Sequence, residues 1–201
     1  GQAPAVATRK RPKPGERRVQ ILQVLAEMLQ QPGAERVTTA ALAARLAVSE
    51  AALYRHFASK AQMFEALIDF IESSVFGLIN QIGEREPAGR ARAARIVAMV
   101  LQFGEKNPGM ARVMVGDALV FEHERLQQRM NQLFDKLEAA LRQGLRTAAA
   151  GGPATPTPDA DAQVTASVLA AFTAGRLQRF ARSGFRRAPT EQLDACIARM
   201  L

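Results

Sequence analysis

Apolar residues recur every three or four positions along most of this chain, and no segment alternates convincingly at a period of two. The first spacing places side chains on one face of an α-helix, whereas a half-buried strand requires alternation. Proline and glycine interrupt the apolar stripes at residues 31–33, 86–89, 107–109 and 148–160. We therefore expect an all-α protein.

The stripes also predict the individual helices. A first helix begins at Glu16, and Ser59 and Gln62 form a capping-box pattern at the start of a long one. The further predicted helices cover about 60–82, 90–106, 110–121, 122–147 and 161–183, with a short one after residue 190.

Residues 38–60 predict two short helices joined by a tight turn. Thr38 or Thr39 can cap the first helix, and Ser49 can cap the second. Helices of this size do not fold alone, so we expect them to pack on the preceding helix as a three-helix unit. Ala47 stands in the turn where a glycine commonly provides a left-handed backbone, at a cost of up to about 1 kcal/mol.

The positive charge is concentrated at the start of the chain. The net charge is +8, and residues 1–60 carry ten Lys and Arg against four Asp and Glu, a net of +6. A cationic end on a nearly neutral body indicates a polyanionic partner, nucleic acid before membrane. A solvated basic tail is the alternative that composition leaves open.

The chain lacks the residues that several classes of protein function require. The chain has one cysteine, Cys196, and two histidines, His56 and His123, and neither GxGxxG nor GxxxxGK[ST] occurs. We expect no metal, no cofactor and no enzyme activity. No apolar run is long enough to span a membrane, and the Arg-rich start lacks the apolar core of a secretory signal, so we expect a soluble cytoplasmic protein.

The second short helix of residues 38–60 leaves a polar face exposed. Ser49 and Ala51 are small enough to let the helix sit deep in a major groove, and Tyr54 and Lys60 are placed to hold phosphates. An ordinary helical hairpin with a polar face is the alternative. The candidate DNA-contacting residues are Arg17, Arg18, Thr38, Thr39, Ser49, Glu50, Ala51, Tyr54, Arg55, His56 and Lys60.

The segment SEAALYRHFASKAQMF closely resembles the signature of TetR-type regulators, with the tyrosine, the His-Phe pair and the following lysine in their places. The resemblance covers residues 16–65. It implies a helix-turn-helix protein whose second short helix enters the major groove, with Tyr54 and Lys60 on the DNA backbone. It also implies a homodimer.

The remainder of the chain resembles the nucleoid occlusion factors within that family. The segments are IDFIESSVFGLINQI, FGEKNPGMARVMVGDALVFEHERLQQRMNQLFDKLEAALRQGLR and LQRFARSGFRRAPTEQLDA. The resemblance implies a dimer on dyad-symmetric chromosomal sites that antagonises assembly of the division protein FtsZ near the nucleoid. Leu78, where a basic residue is expected, departs from the pattern, as do the longer arm and the composition of residues 148–160. A ligand-responsive repressor, which needs an enclosed pocket with converging polar groups, is the alternative function.

Two helices of the larger half carry unusual exposed faces. Phe70 and Phe76 lie on opposite flanks of their helix's apolar stripe, where each either packs between helices or contacts a partner. Met99 lies among Arg95, Gln102 and Lys106, a face that either is solvated or binds a peptide with carboxylates and an apolar anchor. The resemblance places the FtsZ tail between these helices. The candidate FtsZ-binding residues are Phe70, Leu78, Arg95, Met99, Gln102, Lys106 and Asn107.

The predicted organisation has three parts: a flexible basic arm at 1–15, a DNA-binding unit at 16–60, and a helical dimerisation and partner-binding domain at 61–201 with a flexible loop at 148–160. Residues 161–183 are rich in small side chains, including Ala162, Ala166 and Ala170. With the 122–147 helix they either form a four-helix dimer interface or belong to the intrachain core.

Overall fold

The computed structural model describes residues 12–31, 36–149 and 158–201. The described chain is all-α, as predicted, and contains no strand. Most of the predicted basic arm lies outside the described residues. The helices are α1 (Pro14–Leu29), α2 (Thr39–Arg45), α3 (Glu50–Tyr54), α4 (Lys60–Arg85), α5 (Arg90–Lys106), α6 (Pro108–Met114), α7 (Glu124–Ala149), α8 (Pro158–Arg182) and α9 (Leu193–Met200).

Three predicted boundaries differ from the structure. α1 begins before Glu16, since a proline fits the first helical turn, where its missing N–H is not needed. The single helix expected at 110–121 is divided into α6 and a 3₁₀ turn at 117–119, because Gly116 adopts a left-handed φ of 83° between them. α7 continues to residue 149 and α8 begins at residue 158, so both extend into the loop expected at 148–160, whose residues 150–157 lie outside the described residues.

α1, α2 and α3 form the predicted three-helix unit. Ile21 and Leu25 of α1 pack with Leu42 and Leu53, all of them almost completely buried. Ala47 has the expected left-handed backbone, with φ of 55°. Its Cβ therefore adds steric strain to the turn.

The start of α4 differs in detail from the predicted capping box. The Ser59 hydroxyl accepts a hydrogen bond from the Gln62 backbone N–H at 3.2 Å, as expected. The Gln62 side chain, however, accepts from the N–H of Ala58 rather than from that of Ser59. Both bonds satisfy donors that the helix itself leaves free.

A close approach of α6 to α1 positions the three-helix unit on the rest of the molecule. A Cβ at Gly109 would lie 2.0 Å from the carbonyl oxygen of Ala26, so only glycine permits this packing. Arg112 of α6 donates to the carbonyl oxygen of Leu29 at 3.0 Å and so satisfies an acceptor at the end of α1.

α4 and α7 are joined by ion pairs along their length. Glu65 pairs with Arg125 at 2.5 Å, and Asp69 pairs with Arg129 at 2.5 Å. The hydrogen bond that Arg129 donates to Asp69 raises the pKa of Arg129. The acidic face of α4 therefore lies on the basic face of α7.

α7 and α8 pack side by side and, with α4 and α5, build the core of the larger half. Ala162, Ala166 and Ala170 are buried inside the chain, which answers the open question about these three residues in favour of the intrachain core. None of the helices in the described ranges is long and apolar enough to cross a membrane.

Candidate DNA-binding surface and partner groove

The caps and one buried leucine orient α3. The Ser49 hydroxyl accepts from the Ala52 backbone N–H at 3.2 Å, and Leu53 is fully buried. These contacts turn Glu50, Ala51 and Tyr54 outward. Tyr54 is 45% exposed, an unusual position for an aromatic side chain without a partner. The outward face is polar and small, as a helix that enters a major groove requires.

The two threonines before α2 have structural contacts of their own. The Thr38 hydroxyl caps α2 by accepting from the Ala41 backbone N–H at 3.1 Å. The Thr39 hydroxyl lies 3.2 Å from a carboxylate oxygen of Glu50 and donates to it. The latter bond links α2 to the first turn of α3 and fixes the angle between them.

The two candidate arginines of α1 differ in their freedom. The guanidinium of Arg18 lies 4.2 Å from the centre of the Phe57 ring and donates to the carbonyl oxygen of His56. Arg17 instead lines a small cavity between α1 and α3, together with Arg55 and His56. Three guanidinium groups (Arg17, Arg18 and Arg55) and the His56 imidazole therefore lie beside the exposed face of α3.

Lys60 lies at the start of α4 and is not a free cation. Its ammonium nitrogen is 2.7 Å from Glu122 Oε1, and Arg36 Nε is 3.2 Å from the same oxygen. The Glu122 side chain is only 6% exposed. Sequence reasoning missed Glu122, which belongs to a polar stretch 62 residues away.

A groove of about 830 Å³ lies between α4 and α5, at the end of α4 remote from α3. Four predicted partner residues line it: Leu78 from α4 and Arg95, Met99 and Gln102 from α5. Arg95 pairs with Glu86 at 3.0 Å and remains 62% exposed. Apolar side chains and charges are thus combined in one concave surface, as in many peptide-binding sites.

The other predicted partner residues lie outside the groove lining. Phe70 is 51% exposed on α4, and Lys106 is exposed at the end of α5. Asn107 has a structural contact, because its amide donates to the Phe103 carbonyl oxygen at 2.8 Å. Phe76 packs against the core, so of the two phenylalanines with open assignments only Phe70 is free for a partner.

α9 contributes a part of the groove that sequence reasoning missed. Asp194, Ile197 and Ala198 line it opposite α4. The sequence predicted a short helix after residue 190, but it did not indicate which elements this helix packs against.

α8 carries a second exposed apolar surface. Val164 and Val168 are 64% and 46% exposed, and Ala171 and Gly175 continue the same face one and two turns later. A Cβ at Gly175 would touch nothing within 4 Å. We call these four residues the α8 stripe. Among the described residues, no group of three His, Cys, Asp or Glu side chains is placed to hold a metal ion.

Two family models match the chain. The model described as "Bacterial regulatory proteins, tetR family" matches residues 21–67, and "Tetracyclin repressor-like, C-terminal domain", an SlmA-like C-terminal domain, matches residues 89–200. Solved TetR-type structures share the fold at low identity. A regulator from Chloroflexus aurantiacus has a TM-score of 0.74 at 19% identity, covering 92% of this chain and 94% of that one. FadR from Bacillus subtilis, in complex with stearoyl-CoA, has a TM-score of 0.71 at 13% identity, covering 90% and 96%.

Curated relatives match along nearly the whole chain. The nucleoid occlusion factor SlmA of Citrobacter koseri is 51% identical over 183 residues, which cover 89% of this chain and 90% of the relative. SlmA of Alteromonas mediterranea is 47% identical over 182 residues, covering 90% and 92%. SlmA of Escherichia coli O1:K1 is 50% identical, covering 89% and 90%. The chain belongs to the SlmA family of nucleoid occlusion factors, within the TetR-type DNA-binding regulators.

Proposed function

We propose that this protein acts as a homodimer on dyad-symmetric chromosomal DNA and from there antagonises FtsZ polymerisation, which blocks septum assembly over the nucleoid. Residues 16–60 bind the DNA, and residues 61–201 supply the dimer interface and the FtsZ site. The protein is thereby cytoplasmic and associated with the nucleoid.

The proposal rests on the distance along α4 between the DNA-binding unit and the partner groove. Lys60 begins this helix beside the DNA-binding unit, and Leu78 lines the groove 18 residues later. At 1.5 Å per residue, the two positions are about 27 Å apart along the helix axis. A groove at this distance stays open to FtsZ while the recognition helix occupies DNA.

The α8 stripe supports the homodimer. A row of exposed valine, alanine and glycine side chains permits a second α8 to approach closely, and pairing across a two-fold axis buries the stripe of both subunits. Two recognition helices related by this axis can reach half-sites about 34–36 Å apart on one face of the duplex.

The chemistry of the groove supports an acidic peptide with an apolar anchor, such as the FtsZ tail. Met99 offers a deformable apolar contact beside Arg95. The Arg95 side chain is 62% exposed although it pairs with Glu86, so an incoming carboxylate can reach it and compete with Glu86. Phe70 on α4 and Lys106 and Asn107 at the end of α5 extend the site beyond the groove lining, and Leu78 gives it an apolar contact in place of a basic one.

The alternative, a ligand-responsive repressor, has weaker support. A buried ligand pocket needs polar groups that converge on the ligand. Among the described residues, Thr173 is a polar residue that is fully buried in the core. Its hydroxyl donates to the Leu169 carbonyl oxygen of its own helix. The hydroxyl hydrogen of Thr173 is therefore already used within α8 and is not free to orient a polar ligand.

Light scattering of FtsZ assembling with GTP tests the proposal. The protein is added with and without a dyad-symmetric duplex obtained by selection from random sequences. We expect polymer to decrease only when both protein and duplex are present. Met99→Glu should abolish this effect while DNA binding persists, whereas Glu84→Lys, on the other side of α4, should leave it unchanged. If the unsubstituted protein binds DNA and FtsZ assembly is unaffected, the ligand-responsive repressor becomes the better hypothesis.

A further inference from the structure

The partner groove has three walls rather than two. Its α5 side presents Ala91, Ala94 and Ala98, whose methyl groups leave room that larger side chains would fill. α4 bounds this space on one side with Leu78 and Ile82. α9 bounds it on the other side with Ile197 and Ala198.

α9 is fixed in this position by contacts outside the groove. The Thr190 hydroxyl donates to a Glu105 carboxylate oxygen of α5 at 3.1 Å, just before α9 begins. Arg176 of α8 donates to the Pro189 carbonyl oxygen at 3.3 Å and lies 3.1 Å from the Cys196 sulfur within α9. The third wall is therefore formed before any peptide arrives, which reduces the entropy lost on binding.

The charges on the groove lining are opposite at its two ends. One end, where α4 finishes and Ala91 begins the α5 lining, carries Arg85 and the Arg95–Glu86 pair, a net positive charge. The other end carries Asp194, beside Gln102. Neither Arg85 nor Asp194 takes part in an ion pair with another described residue. Ala91 and Gln102 are eleven residues apart on α5, or about 16 Å, which is the span of about five residues of extended chain.

We infer that α9 selects the peptide that enters the groove, and that Asp194 pairs with a basic residue of that peptide. The inference rests on the proposed function, in which the peptide is the FtsZ tail. A carboxylate of the tail lies at Arg85 and Arg95, its apolar anchor lies between Met99 and Ile197, and its cation lies at Asp194. Opposite charges at the two ends fix the direction of the tail, which a purely basic groove does not.

Binding of a fluorescently labelled FtsZ tail peptide to the full chain on its duplex tests the inference. Asp194 is exposed, so Asp194→Lys should fold normally and should weaken binding about five-fold or more at low salt by replacing attraction with repulsion. Replacing the basic residue of the peptide that faces position 194 with glutamate should restore the affinity of Asp194→Lys and weaken binding to the unsubstituted chain. Glu84→Lys makes the same change of charge outside the groove and should have no effect.

A second variant tests the wall without changing charge. Ala198→Trp should fill the groove from the α9 side and weaken binding at least ten-fold, with DNA affinity and circular dichroism unchanged. If Met99→Glu abolishes peptide binding while Asp194→Lys and Ala198→Trp bind normally, the peptide binds between α4 and α5. The inferred role of α9 is then wrong. If all three variants bind the peptide as the unsubstituted chain does, the groove is not the FtsZ site and both the inference and that part of the proposed function fail.

Discussion

Lys60 of the DNA-binding unit forms a 2.7 Å ion pair with Glu122, which lies between the 3₁₀ turn and α7. A phosphate that contacts Lys60 must compete with this carboxylate or share the ammonium group with it. The pair ties Lys60 to the segment before α7, and it opposes DNA binding if Lys60 is a phosphate contact.

Replacing Glu122 with glutamine should tighten DNA binding. The change removes the negative charge but keeps the shape of the side chain. Because Glu122 is only 6% exposed, its attraction for Lys60 is weakly screened, and its removal should lower Kd about five-fold or more. Fluorescence anisotropy with the selected duplex measures this. Glu124→Gln is the matched control, since Glu124 is an exposed carboxylate at the start of α7.

The salt dependence of the same measurement gives an independent check. If Arg17, Arg18 and Lys60 of two subunits contact phosphates, about six phosphates are neutralised and log K falls with log salt at a slope near −5. Glu122→Gln should approach this slope, and the unsubstituted chain should have a shallower one. Weaker binding by Glu122→Gln would mean that Glu122 holds Lys60 in place for the phosphate.

Tyr54→Phe should weaken DNA binding about ten-fold without changing the melting temperature. The ring is 45% exposed and its hydroxyl has no hydrogen-bond partner among the described residues, so the free protein loses nothing when the hydroxyl is removed. The complex loses a hydrogen bond to a charged phosphate, worth about 1.5 kcal/mol. Equal affinity of both proteins would remove Tyr54 from the DNA-binding surface.

The local features of the DNA-binding unit could be predicted from the sequence because neighbouring residues determine them. The caps at Thr38 and Ser49 and the left-handed Ala47 each depend on a few adjacent positions, and the structure confirms them. The assignment of DNA contacts stays a prediction. Thr38 and Arg18 have structural contacts as well, so a loss of DNA binding in their variants has to be separated from a loss of stability.

The contacts between distant segments could not be predicted. Glu122 reaches Lys60 across 62 residues, and α9 reaches the groove from the end of the chain. Apolar periodicity indicates that a helix face is covered, but it does not indicate which element covers that face. For the same reason the alanines of α8 could be assigned either to the dimer or to the core, until the structure placed Ala162, Ala166 and Ala170 inside the chain.

Ala47→Gly should stabilise the protein. The observed φ of 55° is fully left-handed, so relief of the Cβ conflict is worth about 1–2 kcal/mol, more than the cost of up to about 1 kcal/mol expected from the sequence. The added freedom of the unfolded chain offsets about 0.4–1 kcal/mol of this gain. The net gain of about 1 kcal/mol should raise the melting temperature by about 2–4 °C. Ala44→Gly, at an exposed position inside α2, should instead lower the stability by about 1 kcal/mol. Similar effects from both substitutions would mean that the turn is not strained.

Val168→Glu should separate the homodimer into folded monomers. Val168 lies in the middle of the α8 stripe and is 46% exposed in the single chain, so a carboxylate there is well solvated in the monomer. In a symmetric interface the two glutamates would lie close to each other and to apolar side chains, and burying both charges costs several kcal/mol. Light scattering coupled to size-exclusion chromatography measures the mass, and Val19→Glu, at an exposed valine of α1, is the matched control.

The Val168→Glu monomer should also lose affinity for the dyad-symmetric duplex while retaining weak binding to a half-site. A monomer carries a single recognition helix, so it cannot contact both half-sites at once. A dimeric Val168→Glu protein would place the interface on another face of the larger half.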